Sequence, residues 1–172
     1  TMLAWQVFDI VPVSRAVNTE YKRAKPPEQI AKGLYLTAYS AGNPAKMNEI
    51  MDLVGRTELN AVVIDIKDYS GLIFFPSQVP LAKQIKASEN RLRDIQATIK
   101  KLHDKNIYVI ARQTVFQDPF LATAKPEWAI KSKSGGLWHD NKGLTWVDPT
   151  RKEVWDYNLA LAREAAALGF DE

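Results

Sequence analysis

Asn60-Ala-Val-Val-Ile-Asp-Ile-Lys-Asp-Tyr-Ser-Gly71 decides the fold. Its apolar run is of the kind that forms a strand buried on both faces. Charges then gather at its C-terminal end, where Asp65, Lys67 and Asp68 do not belong in a core unless they are paired or functional. Side chains alternate along a strand, so Val62, Ile64 and Ile66 face one way and Val63, Asp65 and Lys67 the other. A buried strand with polar groups at its C-terminal end is what a β/α protein offers as a site.

Outward from this stretch, the pattern repeats. Lys32 to Ala41 reads as a first strand, with Leu34, Leu36 and Ala38 on one face and Tyr35, Thr37 and Tyr39 on the other. Asn43-Pro44 starts a helix carrying Met47, Ile50, Met51 and Val54, with Gly55 near its end. After the decisive strand, a loop runs from Gly71 to about Ala87, and Leu72-Ile-Phe-Phe75 is a small extra strand within it. Leu92, Ile95, Ile99 and Leu102 then mark a second helix. Ile107 to Gln113 is the third strand, and Asp118-Pro119 caps a short helix to Ala124. From Lys125 to Pro149 the chain makes a Trp-rich excursion, in which Ser134-Gly-Gly136 turns a hairpin between Trp128–Lys131 and Leu137–Asp140. Thr150-x-x-Glu153 is a capping box for a helix with Val154, Leu161, Ala165 and Leu168, ended by Gly169. Phe170-Asp-Glu172 reads as the start of a fourth strand.

The order β-α-β-α-β-α-β implies a parallel sheet with right-handed crossovers. About 250 residues close a (β/α)8 TIM-type barrel, so residues 32–172 read as its N-terminal half. A doubly wound open sheet is the rival, but Ser40-Ala-Gly-Asn-Pro44 is not the Gly-rich phosphate loop that such a sheet carries. Residues 1–31 form a separate apolar segment and linker. Met2 to Val17 is too interrupted for a spanning helix, which needs about 20 mainly apolar residues. It is either the remnant of a membrane-proximal segment or an element packing on the domain. With Thr at position 1, the chain is expected to continue upstream.

The 172 residues are enough for one domain with a real core, and 46% hydrophobic with 25% charged residues reads as a globular one. The net charge of +3 is spread among acids, apart from Tyr21 to Lys25. That lacks the concentrated positive footprint of a nucleic-acid binder. The absence of cysteine removes disulfides, thiolate metal sites and cysteine nucleophiles. His139 is the only histidine expected on the site side, and His103 sits on a helix far from the strand ends. No zinc pattern, Ser/His/Asp elbow or P-loop is present, so neither metal nor cofactor is expected.

Strand ends on the polar face collect Tyr39, Asp65, Lys67, Tyr108 and Arg112. Neighbouring strands make an Asp65–Arg112 pair feasible, which would keep Asp65 ionised. Asp65 is thus an ion-pair member, a ligand for substrate hydroxyls or a catalytic carboxylate. Asp68 points away from Asp65, which makes the two a poor acid/nucleophile pair, and it fits a turn that shapes the site. In the excursion, Trp138, Trp146 and Asp148 are candidate ligand contacts beside His139 and Asp140, because flat aromatic faces suit a pyranose. Trp128 fits better as the loop's own core.

Seven segments together resemble the putative glycoside hydrolase domain family, a bacterial group with an α-amylase-like barrel. They are Lys32–Gly42, Thr57–Asp68, Ile107–Arg112, Pro126–Ile130, Gly136–Trp138, Trp146–Pro149 and Glu153–Tyr157. The resemblance spans Gly33 to Glu172. It implies hydrolysis of glycosidic bonds in a polysaccharide and a location outside the cytoplasm or tethered to a membrane through a segment before residue 1. It also implies that the strand starting at Gly169-Phe-Asp-Glu172 would lead into a catalytic Asp and an Arg. The main catalytic pair then lies beyond residue 172, and these residues alone are expected to be inactive. A carbohydrate-binding barrel without catalysis and a membrane-tethered scaffold are the alternatives.

Overall fold

A computed structural model describes residues 30–172. The expected apolar segment at 2–17 and all but the end of the linker lie outside the described residues. Strands β1 (Gly33–Leu36), β2 (Ala61–Lys67) and β3 (Tyr108–Gln113) form one parallel sheet in the order β1-β2-β3. Gly33 pairs with Ala61, and Ala61 in turn with Tyr108, so the N-terminal ends of the three strands are level. Beyond β3, Asp171 N donates to Val109 O (2.9 Å) and Ala111 N donates to Glu172 O (2.6 Å). The last residues therefore bond along the free edge of β3, as the expected fourth strand requires.

Strand β1 is shorter than the sequence pattern predicts. Thr37 caps a four-residue helix, α1 (Ala38–Ala41), its hydroxyl accepting from Ser40 N. The cap diverts the chain before Ala38 and carries Tyr39 off the sheet. Gly42 then passes so close to residue 91 that a Cβ there would lie 2.3 Å from Arg91 O.

Helix α2 (Pro44–Gly55) starts as its sequence predicts, with Asn43 Oδ1 accepting from Ala45 N and Lys46 N and Pro44 in the first turn. The loop after β2 contains an unexpected short helix, α3 (Pro80–Gln84). Leu72–Phe75 makes isolated bridges through Ile73 rather than a strand. Helix α4 (Ile95–His103) is capped by Asp94, and α5 (Pro119–Ala124) by Asp118. Helix α6 (Lys152–Leu168) has no side-chain cap. The N-cap is Arg151, one residue past Thr150, so the expected box has no place to form and Thr150 donates through N and Oγ1 to Asp148 Oδ1 instead. Gly169, at φ +109°, ends α6 in the left-handed conformation.

Two right-handed crossovers between successive neighbouring strands place α2 and α4 on one side of the sheet. The buried residues of that side include Leu36, Val62, Ile64, Ile66 and Val109, which join Met47, Met51, Ile99, Leu102 and Leu161 in one cluster. The opposite side is open: Tyr35 is 53% exposed, and Val63 and Ile110 are half-buried. Among the described residues no helix is long and apolar enough to cross a membrane.

Candidate functional site

The register puts Tyr35 opposite Val63 and Asp65 opposite Arg112, on the open side near the strand C-termini. Asp65 is 4% exposed, and both of its carboxylate oxygens are engaged. Arg112 Nη1 donates to Oδ1 at 2.7 Å, and the Tyr35 hydroxyl donates to Oδ2. The guanidinium carbon of Arg112 stands 5.7 Å from the centre of the Tyr35 ring, within cation–π range. The Asp65 acceptor, followed by burial, pushes the Tyr35 phenol above its ordinary pKa. Hydrogen bonding to the same carboxylate raises that of Arg112. Tyr108, expected beside this group, stands at the opposite, N-terminal end of β3, level with Ala61, where burial and then the charge of Glu172 raise its phenol. Tyr35 and Arg112 therefore present protonated, half-exposed groups on a buried anionic anchor.

Lys67 does not stand beside them. A β-bulge between Asp65 and Lys67 breaks the register. The Lys67 ammonium instead donates to Thr114 O at 2.6 Å and pairs with Asp118 Oδ2 at 3.0 Å. That ion-pair contact is off the hydrogen-bond direction. Lys67 is 1% exposed and Asp118 is fully buried, so the expected substrate contact is a sealed structural ion pair. Asp118 Oδ1 meanwhile caps α5 by accepting from Leu121 N at 2.9 Å. Burial, followed by the Asp118 charge, drives the Tyr157 phenol well above its usual pKa.

Tyr39 is also removed from the sheet face. It lies on α1 with Arg91 4.5 Å over its ring, and it lines a cleft of about 650 Å³ between α2 and residues 89–101. Asp68 is a turn residue, its Oδ1 accepting from Ser70 N (2.9 Å) and Ser70 Oγ (2.5 Å).

The excursion is organised by Asp140, whose part the sequence pattern did not reveal. Its Oδ1 accepts from Lys142 N and Leu144 N, and its Oδ2 from Trp146 Nε1 and Gln117 Nε2. Backbone bonds run from Ser132 N to Gly136 O, Trp138 N to Ile130 O and Ile130 N to Trp146 O. Trp128 packs against the main hydrophobic cluster, while Trp138 is 40% exposed. Asp148 accepts from Thr150 N and Oγ1 at the approach to α6. Among the described residues, no hydrogen bond, ion pair or ring contact joins Trp138, Trp146 or Asp148 to the Tyr35–Asp65–Arg112 group. None of them holds a cluster of three His, Cys, Asp or Glu placed for a metal ion.

Hydrogen bonds from Leu144 N and then Trp146 Nε1 hold the Asp140 carboxyl below its ordinary pKa. The charged form is thus favoured in the folded loop. Its contribution is complete above the unperturbed carboxylate pKa of about 3.9 and is lost as pH falls through the lower folded value. Acid titration of tryptophan fluorescence should show a loop transition below that value. The Asp140→Asn variant should lose the transition; an unchanged titration would contradict the hub role.

A parallel β/α sheet with an anchored polar group at its strand C-termini belongs to the class of β/α proteins whose sites lie at that end. Residues 33–172 match the model of the family described as "Putative glycosyl hydrolase domain", and the chain belongs to that family. A hypothetical protein from Ruminiclostridium thermocellum ATCC 27405, known from a crystal structure, is 43% identical with a TM-score of 0.78. The match covers 81% of this chain and 73% of that one. Two structures of lower identity share the fold. Alpha-L-fucosidase isoenzyme 2 from Paenibacillus thiaminolyticus is 18% identical with a TM-score of 0.59, over 83% of this chain and 22% of its own. The alpha-galactosidase from Lactobacillus brevis is 16% identical with a TM-score of 0.61, over 84% and 20%. The chain thus spans about a fifth of the length of these two enzymes. Comparison with functionally curated proteins gives no match.

Proposed function

We propose that residues 32–172 are the substrate-binding half of a (β/α)8-type glycoside hydrolase acting on a polysaccharide, with the main catalytic carboxylates outside the described residues. The observation that carries this reading is the half-exposed Tyr35–Arg112 pair fixed by a buried carboxylate at the strand ends. Glycoside hydrolysis uses two carboxyl groups about 5–10 Å apart, one of them free to attack the sugar or to activate water. Asp65 has both oxygens occupied and Asp68 is tied into a turn, so neither fits the nucleophile. Asp65 is better suited to holding the groups that bind sugar. Trp138, with its exposed indole, is a platform for a further sugar unit, and the open sheet face becomes the lumen side of the barrel. As part of the same proposal, the polysaccharide lies outside the cytoplasm, and the protein is extracytoplasmic or membrane-anchored.

The test is release of reducing ends from a panel of bacterial polysaccharides by the full-length protein and its Arg112→Ala variant. Release should fall at least about tenfold in the variant, as expected for the loss of a charged hydrogen-bond donor to substrate. The variant also leaves Asp65 with a single partner, so its folded fraction is measured alongside. Binding without release would assign a carbohydrate-binding barrel, and neither binding nor release would leave a scaffold.

A further inference from the structure

We propose that the Tyr35–Arg112 pair reads two neighbouring hydroxyls of a neutral sugar, with Asp65 as the positioning residue that fixes both groups; this rests on the reading of the face as a carbohydrate site. The Tyr35 hydroxyl spends its proton on Asp65 Oδ2, which leaves its lone pairs free to accept. Arg112 commits Nη1 to Asp65 Oδ1, and its remaining N–H groups can donate. One carboxylate thus turns a phenol into an acceptor and sets a donor beside it, close enough together to meet adjacent hydroxyls on one ring. A hydroxyl is both donor and acceptor, so a vicinal diol satisfies such a pair. An apolar edge or an isolated carboxylate does not.

Charge decides between neutral and acidic sugars. Asp65 already balances Arg112. Asp68 adds a negative charge close enough to act on both Tyr35 and Arg112. The other cation of these strands, Lys67, is sealed against Asp118. Among the described residues of the three strands, a uronate brought to this face would meet the Asp68 charge with no cation beyond the already paired Arg112 and Lys67 to receive it. Neutral hydroxyls pay no such cost.

Calorimetry on the full-length protein tests this with neutral malto-, cello-, xylo- and chito-oligosaccharides, oligogalacturonate, and monodeoxy derivatives of the neutral ligand that binds best. The expected result is a neutral ligand bound at least about tenfold more tightly than oligogalacturonate. Tyr35→Phe should weaken that ligand about tenfold, near the upper worth of a neutral hydrogen bond. One deoxy derivative should show the same loss with the native protein and no further loss with Tyr35→Phe. Asp65→Asn, which loosens Arg112 as well as Tyr35, should weaken the parent ligand more than Tyr35→Phe does. It should weaken that deoxy derivative too, but by a smaller factor. An equal loss for both ligands would mean a merely structural role and would overturn Asp65 as the positioning residue. Neutral-sugar binding that is indifferent to Tyr35→Phe, or tighter binding of oligogalacturonate, would overturn the inference and leave the carbohydrate reading standing. Binding of no oligosaccharide in the panel would overturn both.

Discussion

Replacing Lys67 by Met is expected to cost about 3–5 kcal/mol of folding stability, the loss typical when one member of a buried ion pair is removed. The two side chains are 1% and 0% exposed, so water cannot take the place of the missing ammonium. Asp118 would keep its bond from Leu121 N but lose its counter-charge, and Thr114 O would lose the donor that now lies at 2.6 Å. The effect should reach the sheet face. Lys67 ties the end of β2 to the chain just after β3, two residues beyond Asp65 and Arg112 respectively. Urea unfolding of Lys67→Met and of Lys67→Met/Asp118→Asn checks the argument. The double variant should regain much of the loss, because an asparagine can still cap α5 through its carbonyl without burying a charge. A single-variant cost below about 1 kcal/mol would mean that the pair is not a buried charge pair.

Gly71→Ala is expected to be nearly as damaging, by about 2–4 kcal/mol, from backbone strain and overpacking together. Gly71 sits at φ +83°, and a Cβ there would lie 2.3 Å from Asp118 Oδ1 and 3.2 Å from Phe120 N. The carboxylate cannot swing away without releasing Leu121 N or Lys67. Gly135 provides the control: it has φ +91° but nothing within 4 Å of its Cβ position. Gly135→Ala should cost only the conformational part, about 1–2 kcal/mol. Thermal unfolding that ranks the two variants equally would show that the turn after β2 does not press on Asp118.

The sequence made the sheet legible because hydrophobic alternation and strand-end charges are local signals. Val62, Ile64 and Ile66 point to the helices, the first residues past Gly169 bond to β3, and Asp65 meets Arg112. Where local pattern competes with a cap or a bulge, it misleads. Thr37 starts a helix turn that takes Tyr39 out of the strand and leaves Tyr35 as the aromatic residue beside Asp65. The same alternation that singled out Tyr39 also put Tyr35 on that face, so the signal was present but the strand was read too long. The bulge at Asp65/Lys67 and the partner 51 positions downstream from Lys67 could not be read from the strand alone. Asp140 was equally hidden, since its four donors come from residues whose proximity only the folded loop defines. The capping box failed because the pattern set the helix start one residue early: the N-cap is Arg151, and Thr150 turns back to Asp148.

The most direct test of the central claim is crystallographic location of a neutral oligosaccharide bound to the full-length protein. A sugar ring lying over the strand C-termini, with adjacent hydroxyls on the Tyr35 hydroxyl and the Arg112 guanidinium, is the predicted result. A sugar lodged in the cleft between α2 and residues 89–101, with Tyr35 and Arg112 untouched, would contradict it.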